Sequence, residues 1–233
     1  MELAHFIPAI DIEASALNMA FRANPSLQPF FSLDFSGKSK SELRDAYLRL
    51  LKITADYVAF TIPMLVAAGE SLRGGSDEDR AWSERFLSYA ADETDDKEKH
   101  GHQVWAMNDM LALGAPASLL DAPVHPSVTL YRKFFVDDAR LHPYAILGAK
   151  GVLEHVSLYT GDDLVKGLIA SGIEHIEGAV SFFAHHGVLD IDHVREGNEN
   201  LARIESAERR GEVLQGAFFT SGSYRSFLRF GVG

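Results

Sequence analysis

Apolar residues along this chain recur at three- and four-residue steps, and the two-residue alternation of a strand is scarce. Residues 3–24 read as a first helix, ended by a loop around Pro25, Pro29, Ser36 and Gly37. From Ser41, the positions Leu43, Tyr47, Leu50, Leu51, Thr54, Tyr57 and Val58 line one helical face, so a long helix is expected to about Leu72, kinked at Pro63. Arg73-Gly74-Gly75-Ser76 ends it, and Asp77-Glu78-Asp79 suits the electropositive start of the next helix. That second long helix runs to Leu113, where Gly114 and Pro116 stop it. A looser stretch over 114–126 follows. Further helices are expected at about 127–140, 143–160, 162–186, 190–209 and 212–229, with Gly161 dividing two of them. No internal repeat or long linker divides the chain. The expected architecture is all-α: residues 1–233 as one domain, a bundle of six to eight helices.

Composition narrows the chemistry. Hydrophobic residues make up 46% and charged residues 24%, ordinary for a globular protein. The net charge of −11 argues against nucleic acid or an anionic membrane as partner. With no cysteine, disulfides, thiolate metal sites, iron–sulfur clusters and cysteine nucleophiles are excluded. Any bound metal must therefore be held by oxygen and nitrogen, which suits iron, manganese or zinc. The start, MELAHFIPAID, lacks the basic-then-apolar order of a signal peptide, and the longest apolar run, Tyr57 to Gly69, is short for a bilayer span. A cytoplasmic location is expected.

Three helices carry metal-type side chains. Glu93 and His100 are two turns apart on one face; Glu154 interrupts an apolar surface of Ile146, Leu147, Val152, Leu153 and Val156; His186, Asp190 and His193 fall at i, i+4 and i+7. Each has a plainer reading. The run from Asp92 to His102 resembles a solvated charged face. Glu154 has Lys150 one turn back as an ion-pair partner, which would offset the cost of burying the carboxylate. Gly187 would end one helix and Asp190 would cap the next. Spacing alone leaves these readings open. Taken together, the six residues supply three carboxylates and three imidazoles, a set able to hold two divalent ions with positions open for dioxygen.

At these residues the chain resembles the haem-oxygenase-like di-iron oxidases and oxygenases, also described as iron-containing redox enzymes. The shared pattern is Asp92-Glu93 with His100 and Trp105, then Glu154, then His186-x3-Asp190-x2-His193. The intervals, 61 residues from Glu93 to Glu154 and 32 from Glu154 to His186, equal those of the para-aminobenzoate synthase branch. Asn108-Asp109, Leu113-Gly114 and Phe182-Phe183 agree as well, and the likeness covers roughly residues 40–205. It implies a haem-oxygenase-like bundle of about seven helices. It also implies Glu93, His100, Glu154, His186, Asp190 and His193 as ligands of two Fe(II) ions, with O2 as co-substrate. By the same likeness Glu93 and Glu154 are the catalytic carboxylates, those that would bridge the ions or shift. His102 competes with His100, and His185 with His186.

The sequence departs from that branch in two places. The position of its consumed lysine, ten residues beyond the second Glu, is Leu164 here, with Lys166 nearby; its protein-derived tyrosine has no clear counterpart, the first tyrosine being Tyr47. An external small-molecule substrate is therefore expected, an amino acid or derivative undergoing desaturation, C–C cleavage or N-oxygenation in a biosynthetic pathway. Lys150, Arg132 or Glu174 would pair with its charges, and Asp96 is a further carboxylate. A homodimer is expected by the same likeness. Two other readings compete: a metal-independent thiaminase-like or quinone-cofactor-synthase-like enzyme of the same fold, and a non-catalytic interaction bundle.

Overall fold

The structure, a computed structural model, describes residues 3–93 and 102–232, apart from the side chains of residues 3–5, 102 and 187–192. Among the described residues there are eleven α-helices and no strands. They are α1 (Leu3–Ala23), α2 (Gln28–Ser32), α3 (Lys40–Val58), α4 (Thr61–Leu72), α5 (Asp77–Asp92), α6 (His102–Ala112), α7 (Ala117–Leu120), α8 (Pro126–Arg132), α9 (Ala145–Ala170), α10 (Ser181–Ala202) and α11 (Ala207–Phe227). One π-helical turn follows α8 at Lys133–Asp137, and another, Leu228–Val232, follows α11.

Helix starts follow local chemistry. Ser39 and Glu42 form a reciprocal capping box on α3, and Ser76 and Asp79 form one on α5. Pro29 and Pro126 sit in the first turns of α2 and α8, where the missing N–H has no intrahelical partner to lose. Pro63 acts in the same way. The expected kink is a break at Ala59–Phe60, and Pro63 lies in the first turn of the new helix α4.

Two expected breaks are absent. Gly161 lies inside the 26-residue α9, which ends at Ser171; Gly172 then takes the left-handed φ of +66° that favours glycine at a helix stop. Gly187 likewise lies inside the 22-residue α10. One glycine costs a helix interior only about 1 kcal/mol, which the packing of a long helix readily outweighs.

α9 is the centre of the bundle. It contacts α1, α2, α10 and α11, and it is buried on nearly every side, from Ala145, Ile146 and Leu147 to Leu164 and Leu168. Full burial of leucines such as Leu164 and Leu168 contributes roughly 1.5–3 kcal/mol each. Close approach to α11 depends on two glycines: a Cβ on Gly148 would run into the Val213 carbonyl, and one on Gly216 into that of Ala145. This fixes which edges of α9 face α10 and α11. The stretch Lys40–Leu72 is long and apolar enough by composition to cross a membrane, but 44% of its apolar window is buried. Part of that apolar surface packs in the core, and Tyr57, Val58, Met64 and Leu65 line the cavity described next.

Candidate metal centre

A cavity of about 390 Å³ lies between α1, α3, α4, α5, α8, α9, α10 and α11. Glu93, Glu154, His186 and His193 all line it. These are four of the six residues singled out by spacing, brought in from α9, α10 and the end of α5. Glu93 is the C-cap residue of α5 and is half-buried. Glu154 is 8% exposed, and its Oε1 lies 3.8 Å from His193 Nδ1, too long for a hydrogen bond. Positions 186, 190 and 193 belong to the unbroken α10, so Asp190 does not cap a new helix. The Asp190 side chain lies outside the described residues, as do His100, Asp96 and the His102 side chain.

His186 is set for ligation through one nitrogen. Its Nδ1–H donates to the Phe182 carbonyl, one turn back, at 2.7 Å. In the neutral ring this leaves the lone pair on Nε2, and a backbone partner of this kind orients metal-binding histidines generally. His185, by contrast, is exposed and stacks on Trp105 at 4.8 Å without lining the cavity. Of the two histidines, His186 is the one that lines the cavity.

The plainer reading of Glu154 is also present: Lys150 Nζ lies 2.7 Å from Glu154 Oε1. Burial disfavours the ammonium charge, but Glu154 and then Glu93 outweigh it and hold the Lys150 pKa above its ordinary value. Lys150 also sits 5.1 Å over the Tyr89 ring. The other charged groups expected to meet a substrate do not reach the cavity. Arg132 is exposed and bonds Asp137 at 3.1 Å; Glu174 is exposed beside His175 at 3.4 Å. Leu164 is fully buried and Lys166 exposed, and neither lines the cavity.

Sequence reasoning missed several residues. Tyr89 donates to Glu196 at 2.9 Å and accepts from Asn200 at 2.7 Å, tying α5 to α10 at the cavity wall; burial and Glu196 raise the Tyr89 pKa. Asp109, 1% exposed on α6, accepts from Ser181 N at 3.1 Å, Ser181 Oγ at 2.6 Å and Phe182 N at 2.9 Å. It thereby satisfies the otherwise orphaned amides at the start of α10 and anchors the helix that carries the histidines. Burial raises its pKa, and those hydrogen bonds oppose the rise without cancelling it. Asn108-Asp109 was visible as a shared phrase, but its role depends on a partner 72 residues away.

The donors fit the kind of group the resemblance implies. Carboxylate oxygens and imidazole nitrogens, with no thiolate, suit a non-haem ferrous centre. Among the described residues no three of these groups are drawn together tightly enough to hold an ion. A family model of iron-containing redox enzymes matches residues 47–221, three-quarters of the chain and every residue of this cavity except Phe21 and Tyr224. The chain belongs to the iron-containing redox enzymes. Membership in this family supports an oxidoreductase that contains iron.

Among solved structures, the chain of this iron-containing redox enzyme is similar to a domain of unknown function with a heme oxygenase-like fold from Shewanella denitrificans. The TM-score is 0.76 at 18% identity, covering 98% of this chain and 91% of that one. The fold is therefore haem-oxygenase-like and all-α. No curated protein is significantly similar to the chain.

Proposed function

We propose that the protein is a non-haem di-iron, O2-dependent oxidase or oxygenase acting on a small organic molecule. The observation that carries this reading is the lining of one cavity by Glu93, Glu154, His186 and His193, from three separate helical segments. Two Fe(II) ions would be held by these four with His100 and Asp190, the latter sharing a face of α10 with the two histidines. When bound, the metal pair supplies the capacity to activate dioxygen.

The chain's own residues do the rest. His186 Nδ1–H donates to the Phe182 carbonyl, so Nε2 would be the nitrogen that binds a metal. Phe182, Leu153 and Met64 give the cavity apolar walls that limit water around the reacting groups. Among the described residues Lys150 is the lysine that lines it, and a substrate carboxylate would pair there, as an amino acid or derivative requires. Desaturation, C–C cleavage and N-oxygenation, as a step in a biosynthetic pathway, are the outcomes this donor set serves.

A metal-independent enzyme of the same fold is the second reading. The Lys150–Glu154 ion pair favours it, because it satisfies the buried carboxylate without a metal. Oxygen uptake separates the two. Protein loaded anaerobically with Fe(II) and then mixed with aerated buffer and an amino-acid panel is expected to consume oxygen faster with one class of compound. Turnover of a substrate by chelator-treated protein, with no oxygen uptake, would support the metal-independent enzyme instead.

A further inference from the structure

One side of α11 packs on α9 and α1, and its outward side repeats at three- and four-residue steps. Glu208, Gly211, Gln215, Phe218, Gly222 and Arg225 are all exposed and share one face, with the spacing of a coiled-coil seam. The four exposed residues between the two charges carry none, in a chain where 24% of residues are charged. Phe218 is 52% exposed. Beside it lies a shallow surface groove lined by Gly211, Leu214, Gln215 and Phe218, and completed by Phe134 and Phe219, whose rings stack at 4.1 Å. The four α11 residues stand at i, i+3, i+4 and i+7, the arrangement that receives a side chain from a facing helix.

The outer glycines have no packing reason within the chain. Among the described residues, a Cβ at Gly211 or Gly222 would meet no atom within 4 Å, whereas one at Gly216, on the inner side, would strike the Ala145 backbone. Glycine is a poor helix residue, and two on the outer face remove side chains that would hold a second helix away. The order of the face is also self-complementary. Glu208 and Arg225, Gly211 and Gly222, and Gln215 and Phe218 are each equidistant from the midpoint between positions 216 and 217. Two copies of α11 packed antiparallel about a two-fold axis there set Glu208 of each against Arg225 of the other and glycine against glycine. Each Phe218 then enters the other copy's groove. A parallel pair would set like charges together. Each charge also suits its own helix end, but the uncharged groove between them is not explained by the helix dipole. Within the chain, Arg225 is half exposed and its Nη2 lies 3.8 Å from Glu13, too far for a hydrogen bond.

We propose that this face of α11 is an interface with a second copy of the chain, an antiparallel helix pair anchored by Phe218 and closed at both ends by Glu208 and Arg225. The 21-residue helix is about 31 Å long, and the seam is one helix wide, so the association is reversible and rises with protein concentration. None of the six seam residues lines the cavity, and the interface stands apart from the iron proposal.

The chain has no cysteine of its own, so introduced cysteines report proximity directly. Under mild oxidation, an equal mixture of Gly211→Cys and Gly222→Cys proteins is expected to form disulfide-linked dimers. Either variant alone should not, because its two cysteines would lie about 16 Å apart along the pair. In analytical ultracentrifugation wild type should pass from monomer to dimer as concentration rises. Phe218→Ala and Arg225→Glu should each weaken the association roughly ten-fold or more, with the helical signal kept. Combining Glu208→Arg with Arg225→Glu should restore it, although both changes oppose the helix dipole. Wild type that stays monomeric would overturn the interface and leave the face to a different partner. A dimer indifferent to Phe218→Ala, cross-linking as strong in the single variants as in the mixture, or a folded double reversal that regains no association would overturn it too. Should Phe218→Ala fail to fold, the cysteine pair decides.

Discussion

Lys150 Nζ lies 2.7 Å from Glu154 Oε1, and both residues line the cavity to which His186 and His193 also contribute. The lysine therefore occupies a carboxylate that a metal ion would need. Replacing it, as in Lys150→Met, leaves Glu154 buried without its ammonium and is expected to cost the metal-free protein about 3 kcal/mol. Added Fe(II) should recover more stability in Lys150→Met than in wild type, because the ion replaces a missing charge instead of displacing a present one. Thermal melting with and without anaerobic Fe(II) reads both effects. A variant as stable as wild type, with the same response to iron, would show that the pair carries no weight.

Asp109 holds the start of α10 through three hydrogen bonds. Asp109→Ala should destabilise the protein by about 2 kcal/mol, the loss of a helix cap combined with orphaned amides. Asp109→Asn keeps an acceptor and should lose less. Urea denaturation gives both numbers. The two variants should also bind Fe(II) in that order of weakness, since α10 carries two of the histidines.

A third prediction concerns pH. Burial pushes the Asp79 pKa up, but hydrogen bonds from Ser76 and Tyr144 and the nearby Arg209 outweigh it and leave it below the ordinary carboxylate value. A carboxylate depressed in the fold stabilises it above its unfolded pKa, and that contribution is lost as pH falls through the folded value. Asp79→Asn should therefore be less stable than wild type at pH 7, and the gap should close as pH falls below about 4. A gap that stays constant down to pH 2 would mean that Asp79 acts by packing alone.

Much of this was legible in the sequence, for reasons that differ by element. The all-α class followed from periodicity, and the acidic run Asp77-Glu78-Asp79 marked a helix start that the structure retains. Periodicity and glycine punctuation disagreed at Gly161 and Gly187, and periodicity prevailed at both, because long helices with buried faces absorb one poor residue. At Pro63 the cue was right and the register wrong: the proline marks a beginning, three residues after the break at Phe60. The spacing of Glu93, Glu154, His186 and His193 pointed to a common place because each pair is related by whole helical turns or by the family's intervals. The meeting of three tyrosines at the cavity was not legible. Tyr57, Tyr131 and Tyr224 are separated by many residues and meet only through the packing of α3, α8 and α11. Asp109 was hidden for the same reason, its partners lying at the start of another helix.

The most direct measurement is metal content. Protein loaded with Fe(II) under anaerobic conditions and freed of excess metal is expected to hold about two iron ions per chain, as a paired carboxylate and histidine site requires. Glu154→Ala and His193→Ala should each remove one ion or both while circular dichroism keeps its helical signal. Wild-type protein that retains no iron, or variants that bind as much as wild type, would contradict a dinuclear centre in this cavity.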